Sequence, residues 1–326
     1  MNTITSILLI AIPATTPLLL GCMGAIVSER SGVLNLGIEG VMSVGALSSI
    51  MISGITGSPW LAFLGGIVAG VLFMSIHAVF CITFKSDQVI TGVMVTLLGV
   101  AITTYFGRPW TGEQVQSFDD VLVPGVGEYL VSIPVVGEVL FNNTPLDYLA
   151  ILLVPVTWYL LFRTNIGLEI TAVGNDPETA DTMSIDPTRI RYLSVLLAGA
   201  YAGAAGAAVT LSFTGVWTAG VIDGRGWIAV ALVIVSRWDP LKALLGAYFF
   251  GILYAAQFRA QSINVGEVLP LADVLGPLYG VVLHPVMLSA YPYLITILAL
   301  VVFTYKSRRE LGEPKALTEP YRREAE

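Results

Sequence analysis

The residues of this chain whose types and spacing could do chemistry fall into three stretches. The first reads Ser28-Glu29-Arg30-Ser31-Gly32-Val33-Leu34-Asn35-Leu36-Gly37-Ile38-Glu39-Gly40. It sets two carboxylates, an amide and a guanidinium among apolar neighbours. Polar groups entering an apolar medium are expensive and usually face a bundle interior or a water-filled path. Asn35 and Glu39 therefore either line a pathway or form an inner gate, or Glu39 pairs with a donor and fixes helix packing. The second stretch centres on Val173-Gly174-Asn175-Asp176-Pro177-Glu178-Thr179-Ala180-Asp181 and closes with Asp186-Pro187. Asp before Pro is an N-cap followed by proline at the first helical position, and Glu178 and Asp181 add negative charge where the helix dipole is positive. Two such signals frame a helix of about two turns, which reads as a rigid docking element or as an ordinary capped loop. The third stretch, Trp217 to Ala231, carries Asp223-Gly224-Arg225. These charges either meet a solute or partner, or shape the turn with Trp217 and Trp227 at an interface. Gln88 and Thr91 open another apolar run, where they face a pathway or cap a helix.

Several chemistries are excluded. None of the four lysines, Lys85, Lys242, Lys306 and Lys315, follows a glycine, so the Gly-Lys pair of a phosphate-binding loop is missing. His77 and His284 lie in no metalloprotease or triad context, and no Gly-x-Ser-x-Gly elbow occurs. Cys22 and Cys81 sit in apolar runs without a metal or disulfide spacing. The net charge of −7 argues against binding a nucleic acid polymer. The residues fit a conduit better than a catalyst.

The elements that must position these residues belong to a membrane. Of 326 residues, 55% are apolar and 12% charged, about half the charge of an average soluble domain. A helix needs about 20 apolar residues to cross the hydrocarbon core. Uncharged runs place spans near 4–27, 34–53, 60–84, 88–107, 147–163, 191–213, 224–237, 241–258 and 288–305. The expected fold is all-α, a polytopic bundle of about nine spans with short re-entrant or half-helices, since an open sheet would leave backbone groups unpaired in lipid. The span 224–237 is short and opens beside Asp223 and Arg225. Placing the N-terminus outside puts 13 of the 16 lysines and arginines in cytoplasmic loops and the tail, as the positive-inside rule requires. Residues 1–305 then form one membrane domain. It has an external cap loop at 108–147 that includes Glu113, Asp119, Asp120, Glu128, Glu138 and Asp147, and a cytoplasmic loop at 164–190. The prolines of 259–287 suggest re-entrant pieces, and the cytoplasmic tail 306–326 is expected to be disordered beyond Glu313. Gly66-xxx-Gly70 and Gly199-xxx-Gly203 read as helix contacts.

With these residues in view, the chain resembles the permease subunits of ATP-binding cassette importers, in the family of ribose-type sugar and branched-chain amino-acid permeases. The phrase from Glu29 to Gly40 is similar to the hallmark of that family's nucleoside, or simple-sugar, branch. Arg163 to Leu168 with Val173 to Pro177 resembles its coupling loop, and Gly224 to Ala231 resembles a third block. Two departures stand out. Gly174-Asn175-Asp176-Pro177 replaces the commoner Gly-Glu-Asn-Pro, and Ser236-Arg237-Trp238-Asp239 stands where a glycine-rich sequence is usual. The resemblance implies a plasma-membrane importer with two permeases, identical or sister chains, enclosing a pathway for a nucleoside or related sugar-containing solute, or for a simple sugar. Cytoplasmic ATPases would use ATP and Mg and grip the coupling residues Gly174, Asn175, Asp176, Pro177, Glu178, Ala180 and Asp181. An external binding protein would deliver solute. This chain would bind no cofactor and catalyse nothing, and Asn35, Glu39, Gln88, Thr91, Trp217, Asp223 and Arg225 would serve the pathway or gate. The rival reading is a secondary transporter working alone.

Overall fold

The computed structural model describes residues 3–114, 116–119, 136–262 and 312–322, with single positions between 287 and 301. Its regular elements are helical: α1 (Thr3–Arg30), α2 (Ile38–Thr56), α3 (Pro59–Ala78), α4 (Gln88–Phe106), α5 (Val136–Phe141), α6 (Pro145–Arg163), α7 (Asn165–Asn175), α8 (Pro177–Thr182), α9 (Pro187–Ala208), α10 (Arg225–Ser236) and α11 (Pro240–Ser262). Wider π-type turns extend α3 to Thr83 and α9 to Thr214. Among the described residues, seven of these helices are long and apolar enough to cross a membrane. The expected span 224–237 is the 12-residue helix α10, about 18 Å long at 1.5 Å per residue. It cannot cross a 30 Å core alone. The expected re-entrant stretch 259–287 begins as the last turn of α11, and its remainder, with most of the expected span 288–305, lies outside the described residues.

Helices α1, α2 and α9 form the buried centre, whereas α3, α4, α6 and α11 keep apolar faces outward. Leu64, Val68 and Leu72 on α3, Leu97 on α4, Leu152 on α6 and Leu245 on α11 are exposed, as suits lipid or a neighbouring subunit. The two small-residue pairs meet each other. A Cβ on Gly70 would stand 2.4 Å from the Gly199 carbonyl oxygen, and one on Gly203 would stand 2.3 Å from that of Gly66. Backbone-to-backbone approach of α3 and α9 thus needs glycine at both positions.

Two loop expectations change. Asp147 does not belong to an acidic loop surface. It is buried, accepts the Thr144 N–H at 3.0 Å as part of a capping box, and accepts the Thr16 hydroxyl at 2.6 Å. The tail beyond Glu313 is ordered against the bundle through 322, with Ala316 buried. Its polar composition hid this, because the apolar contact rests on few residues, chiefly Pro314, Ala316 and Leu317.

Candidate functional site: a clamped half-helix beside a capped loop

The stretch 28–40 holds α10 at both ends. At the N-terminus of α10, where backbone donors lack helical partners, the Gly224 N–H donates to Glu39 Oε1 at 2.9 Å and the Gly226 N–H to Glu39 Oε2 at 2.6 Å. A carboxylate there satisfies orphan donors and the positive end of the dipole together. A Cβ on Gly226 would lie 2.6 Å from the Glu39 backbone, so the Gly-Arg-Gly block lets α10 come that close. At the other end, Trp238 Nε1 donates to Glu29 Oε2 at 2.7 Å, and Arg30 Nε donates to the Trp238 carbonyl at 2.9 Å. The Arg30 guanidinium also lies 4.4 Å from the Phe162 ring centroid.

This clamp accounts for the departure at 236–239. Arg237 and Trp238 both take left-handed backbone conformations, with φ of 56° and 54°, where glycine is ordinarily preferred and other residues lose about 1–2 kcal/mol each. Two hydrogen bonds between Trp238 and the 28–40 stretch, one of them from the Arg30 guanidinium and so contributing about 1.5–3 kcal/mol, offset much of that cost. The clamp was not readable in the sequence, because its partners are separated by about two hundred residues and carry no shared spacing.

The turn joining α1 to α2 is pinned from several sides. Gln88 Oε1 accepts the Leu34 N–H at 2.7 Å, while His77 Nε2 lies 3.0 Å from the Leu34 carbonyl oxygen. Asn35 Oδ1 accepts the Gly37 N–H at 3.1 Å, and the Thr96 hydroxyl donates to the Leu36 carbonyl at 2.8 Å. Asn35 and Gln88 are buried in these contacts, whereas the Thr91 hydroxyl bonds the Asp87 carbonyl in the first turn of α4. At the start of α10, Arg225 turns inward. Its guanidinium donates to the carbonyls of Val221 and Ile222 and to the Tyr254 hydroxyl at 2.6 Å, and it lies 5.0 Å from the Phe213 ring centroid. Phe213 and Tyr254 went unnoticed in the sequence, where no spacing distinguishes them from other aromatic residues. Trp217 is buried as well, and Asp223 sits at φ 53° between Gly220 and Gly224.

The loop 164–190 contains the expected capped helix. Asp176 Oδ1 accepts the Thr179 N–H at 2.9 Å and Oδ2 accepts the Thr179 hydroxyl at 2.6 Å. These bonds hold the Asp176 carboxyl below its ordinary pKa. Asp186 repeats the cap for α9 by accepting the Thr188 and Arg189 N–H groups. The departure at Asn175 is solvent-facing, and its amide closes on the Thr171 carbonyl at 2.9 Å. Gly174 packs onto the end of α1, where a Cβ would meet the Arg30 carbonyl oxygen at 2.0 Å. Ala180, by contrast, is only 3% exposed and faces this chain, while Asn175, Asp176, Glu178, Thr179, Thr182 and Met183 face outward. The exposed side of α8 and the clamp on α10 are thus joined through the Gly174–Arg30 contact. Among the described residues, no cluster of His, Cys, Asp and Glu could hold a metal ion.

Comparison with known proteins gives the family. The chain is 49% identical to TsgC13 of Haloferax volcanii over 96% of both chains, an ABC transporter permease whose name provisionally gives glucose as its solute. It is 36% identical to the guanosine ABC transporter permease NupQ of Bacillus subtilis over 98% of both, and 31% identical to the nucleoside ABC transporter permease NupC of Lactococcus lactis over 94% of both. A solved structure of an ABC transporter, provisionally of metal-chelate type and in an inward-facing conformation, superposes with a TM-score of 0.50 at 17% identity. That match covers 92% of this chain and 85% of the other, and bears on the fold. The model of the branched-chain amino acid transport system permease component matches residues 7–290. A single family model over most of the chain, with full-length permease relatives beside it, places this protein in the family of branched-chain amino acid transport system permease components.

Proposed function

We propose that this chain forms the translocation pathway of an ABC importer for a nucleoside or related sugar-bearing solute, with the exposed face of α8 receiving a separate ATPase. The carrying observation is the continuous connection from the capped helix α8 through Gly174 and Arg30 to the clamp on α10. Such a connection lets a movement imposed at a docking loop reach a half-helix inside the bundle, and coupling of that kind requires a physical element with two arrangements. The ATPase supplies ATP and Mg chemistry. A second permease, identical or sister, completes the pathway, and an external binding protein delivers the solute. The membrane domain comprises residues 1–305, with about nine spans, the half-helix α10 counted among them, the cap loop 108–147 outside and the loop 164–190 in the cytoplasm.

The N-terminus outside and the tail inside agree with the basic-residue distribution and with the tail's contacts to the loop 164–190. Asn35 and Gln88 serve this reading by holding the α1–α2 turn. Thr91, Trp217, Asp223 and Arg225 shape the region around the start of α4 and the start of α10. A simple sugar is the second reading, favoured by 49% identity to a permease provisionally named for glucose.

The test is reconstitution of the chain with its ATPases, second permease and binding protein in vesicles. ATP-dependent uptake of guanosine or other nucleosides is the expected result, and glucose uptake in its place would favour the second reading. Uptake by this chain alone that survives ATP depletion and collapses with an ion gradient would overturn both.

A further inference from the structure

The tail segment 314–321 touches three elements at this end of the bundle. The Ala316 N–H donates to the Gly174 carbonyl just before α8, at 2.9 Å. The Ala316 carbonyl oxygen lies 3.1 Å from where a Cβ on Gly32 would sit, in the turn after α1. On α9, Arg191 donates from Nη1 to the Glu319 carbonyl at 3.1 Å, and its Nη2 borders Gly32. Arg191 is only 2% exposed, and with its Nε and Nη2 unpartnered the Glu319 carbonyl is the acceptor its guanidinium has among the described residues. Finally, the Tyr321 hydroxyl donates to Asp181 Oδ2 at 3.0 Å, at the C-terminal end of α8. The segment's own turn bonds, Leu317 N–H to the Pro314 carbonyl and Glu319 N–H to that of Ala316, keep it compact.

The contacts matter because of what lies between them. A cavity of about 680 Å³ separates the end of α8 from α9 and the end of α3, with Lys85, Asp181, Thr188, Arg191 and Tyr321 among its walls. Ala180 packs inward, and at the C-terminal end of α8 the tail bridges the gap through Tyr321. We propose that residues 314–321 form a clasp that ties α8 to α9 and to the α1–α2 turn, so that displacement of α8 is carried to Glu29 and Glu39 instead of being absorbed in the cavity. This rests on the ATPase-docking role proposed above for α8, and it assigns coupling residues in a tail outside the membrane domain.

The test compares three variants in the fully assembled, reconstituted transporter: a stop after Glu313, Tyr321→Phe, and Met183→Asp on the exposed face of the docking loop. Assembly is followed by size-exclusion chromatography and coupling by ATP hydrolysed per solute imported. The truncated transporter is expected to assemble and hydrolyse ATP but to consume about fivefold more ATP per solute, the lower end of allosteric coupling factors. Tyr321→Phe removes one hydrogen bond and should raise the ratio about twofold. An assembled truncation with the wild-type ratio overturns the clasp. If truncation prevents assembly, Tyr321→Phe decides, and an unchanged ratio overturns the clasp. Met183→Asp reports on the docking reading separately. Lost ATPase binding in that variant, with a wild-type ratio in the other two, removes the clasp and leaves docking standing. Wild-type behaviour in all three removes both.

Discussion

Glu39 shows how one side chain can decide a local structure. Its two oxygens accept two different N–H groups at the start of α10, a task that only a carboxylate performs without leaving a donor unpaired. Glutamine offers one carbonyl oxygen and one amide, so Glu39→Gln strands a buried N–H at a cost of about 1–3 kcal/mol. The chain should still insert and assemble, because the helix contacts around α10 are unchanged. Transport is expected to fall about tenfold, the factor that 1.4 kcal/mol represents, as read by solute uptake at constant assembled transporter. Retained wild-type uptake would show that α10 need not be held at that end. Asp176 makes a second case, with the sign set by its lowered pKa. The carboxylate is the form that accepts the Thr179 bonds, so its contribution is present above the ordinary carboxylate range and is lost only as pH falls through the lower, folded-state value. Amide exchange at Thr179, corrected for its intrinsic pH dependence, should therefore show constant protection from neutral pH to about 5. Asp176→Asn should weaken that protection at every pH in this window. Loss of protection in the native chain already near pH 6 would contradict the cap.

At the scale of elements, the bundle depends on the close approach of α3 and α9. Gly70 and Gly203 stand where any Cβ would press on a backbone carbonyl, and a rigid main-chain atom cannot step aside as a flexible side chain can. Gly203→Val should therefore push α3 from α9 and destabilise the protein by about 1–3 kcal/mol or more, seen as a lower thermal midpoint in detergent. Gly112→Ala provides the contrast. Nothing lies within 4 Å of the added Cβ, and only its φ of +81° resists, so it should lose about 1 kcal/mol. A larger loss at Gly112 than at Gly203 would refute this account. The elements were legible to the extent that their signals are local. Asp176-Pro177 and Asp186-Pro187 announce their caps within three residues, and uncharged runs mark the long spans. Even the weakness of 224–237 is visible, as a run too short and too charged at its start. The Gly66–Gly70 and Gly199–Gly203 spacings identify helix contacts, but not that these two pairs meet each other. The clamp is illegible for the same reason. Glu29 and Glu39 meet their partners at the two ends of α10 across at least seven intervening helices, and no spacing records that. The tail was misread because composition measures average polarity, while its docking depends on Pro314, Ala316 and Leu317, the Ala316 N–H and the Glu319 carbonyl.

For the whole molecule, the question is how a chain with no nucleotide-binding motif can be driven by ATP. The stretch 28–40 is the junction. Through Arg30 it touches the docking loop at Gly174, through Glu29 and Glu39 it holds α10, and through Leu34 it meets His77 and Gln88 of α3 and α4. A force applied at the loop therefore reaches most of the bundle through one short segment. In the coupling proposed above the force comes from a partner on the outer face of α8, and the surface there has a definite composition. Ala180 is turned inward, so Ala180→Arg would disrupt the loop itself and report nothing about docking. Met183, 72% exposed just after α8, is a large apolar side chain beside the polar groups Glu178, Thr179 and Thr182, the composition expected of an interface with an apolar centre and a polar rim. Placing a charge there should leave the membrane bundle unaltered, since Met183 makes little contact with it. In a docking face the same charge would have to be buried against the partner, at a cost of several kcal/mol. Met183→Asp is thus expected to keep its thermal midpoint in detergent while the ATPase recovered by copurification falls by about tenfold or more, as a penalty above 1.4 kcal/mol requires. Undiminished recovery with an unchanged midpoint would remove the exposed face of α8 as the docking surface.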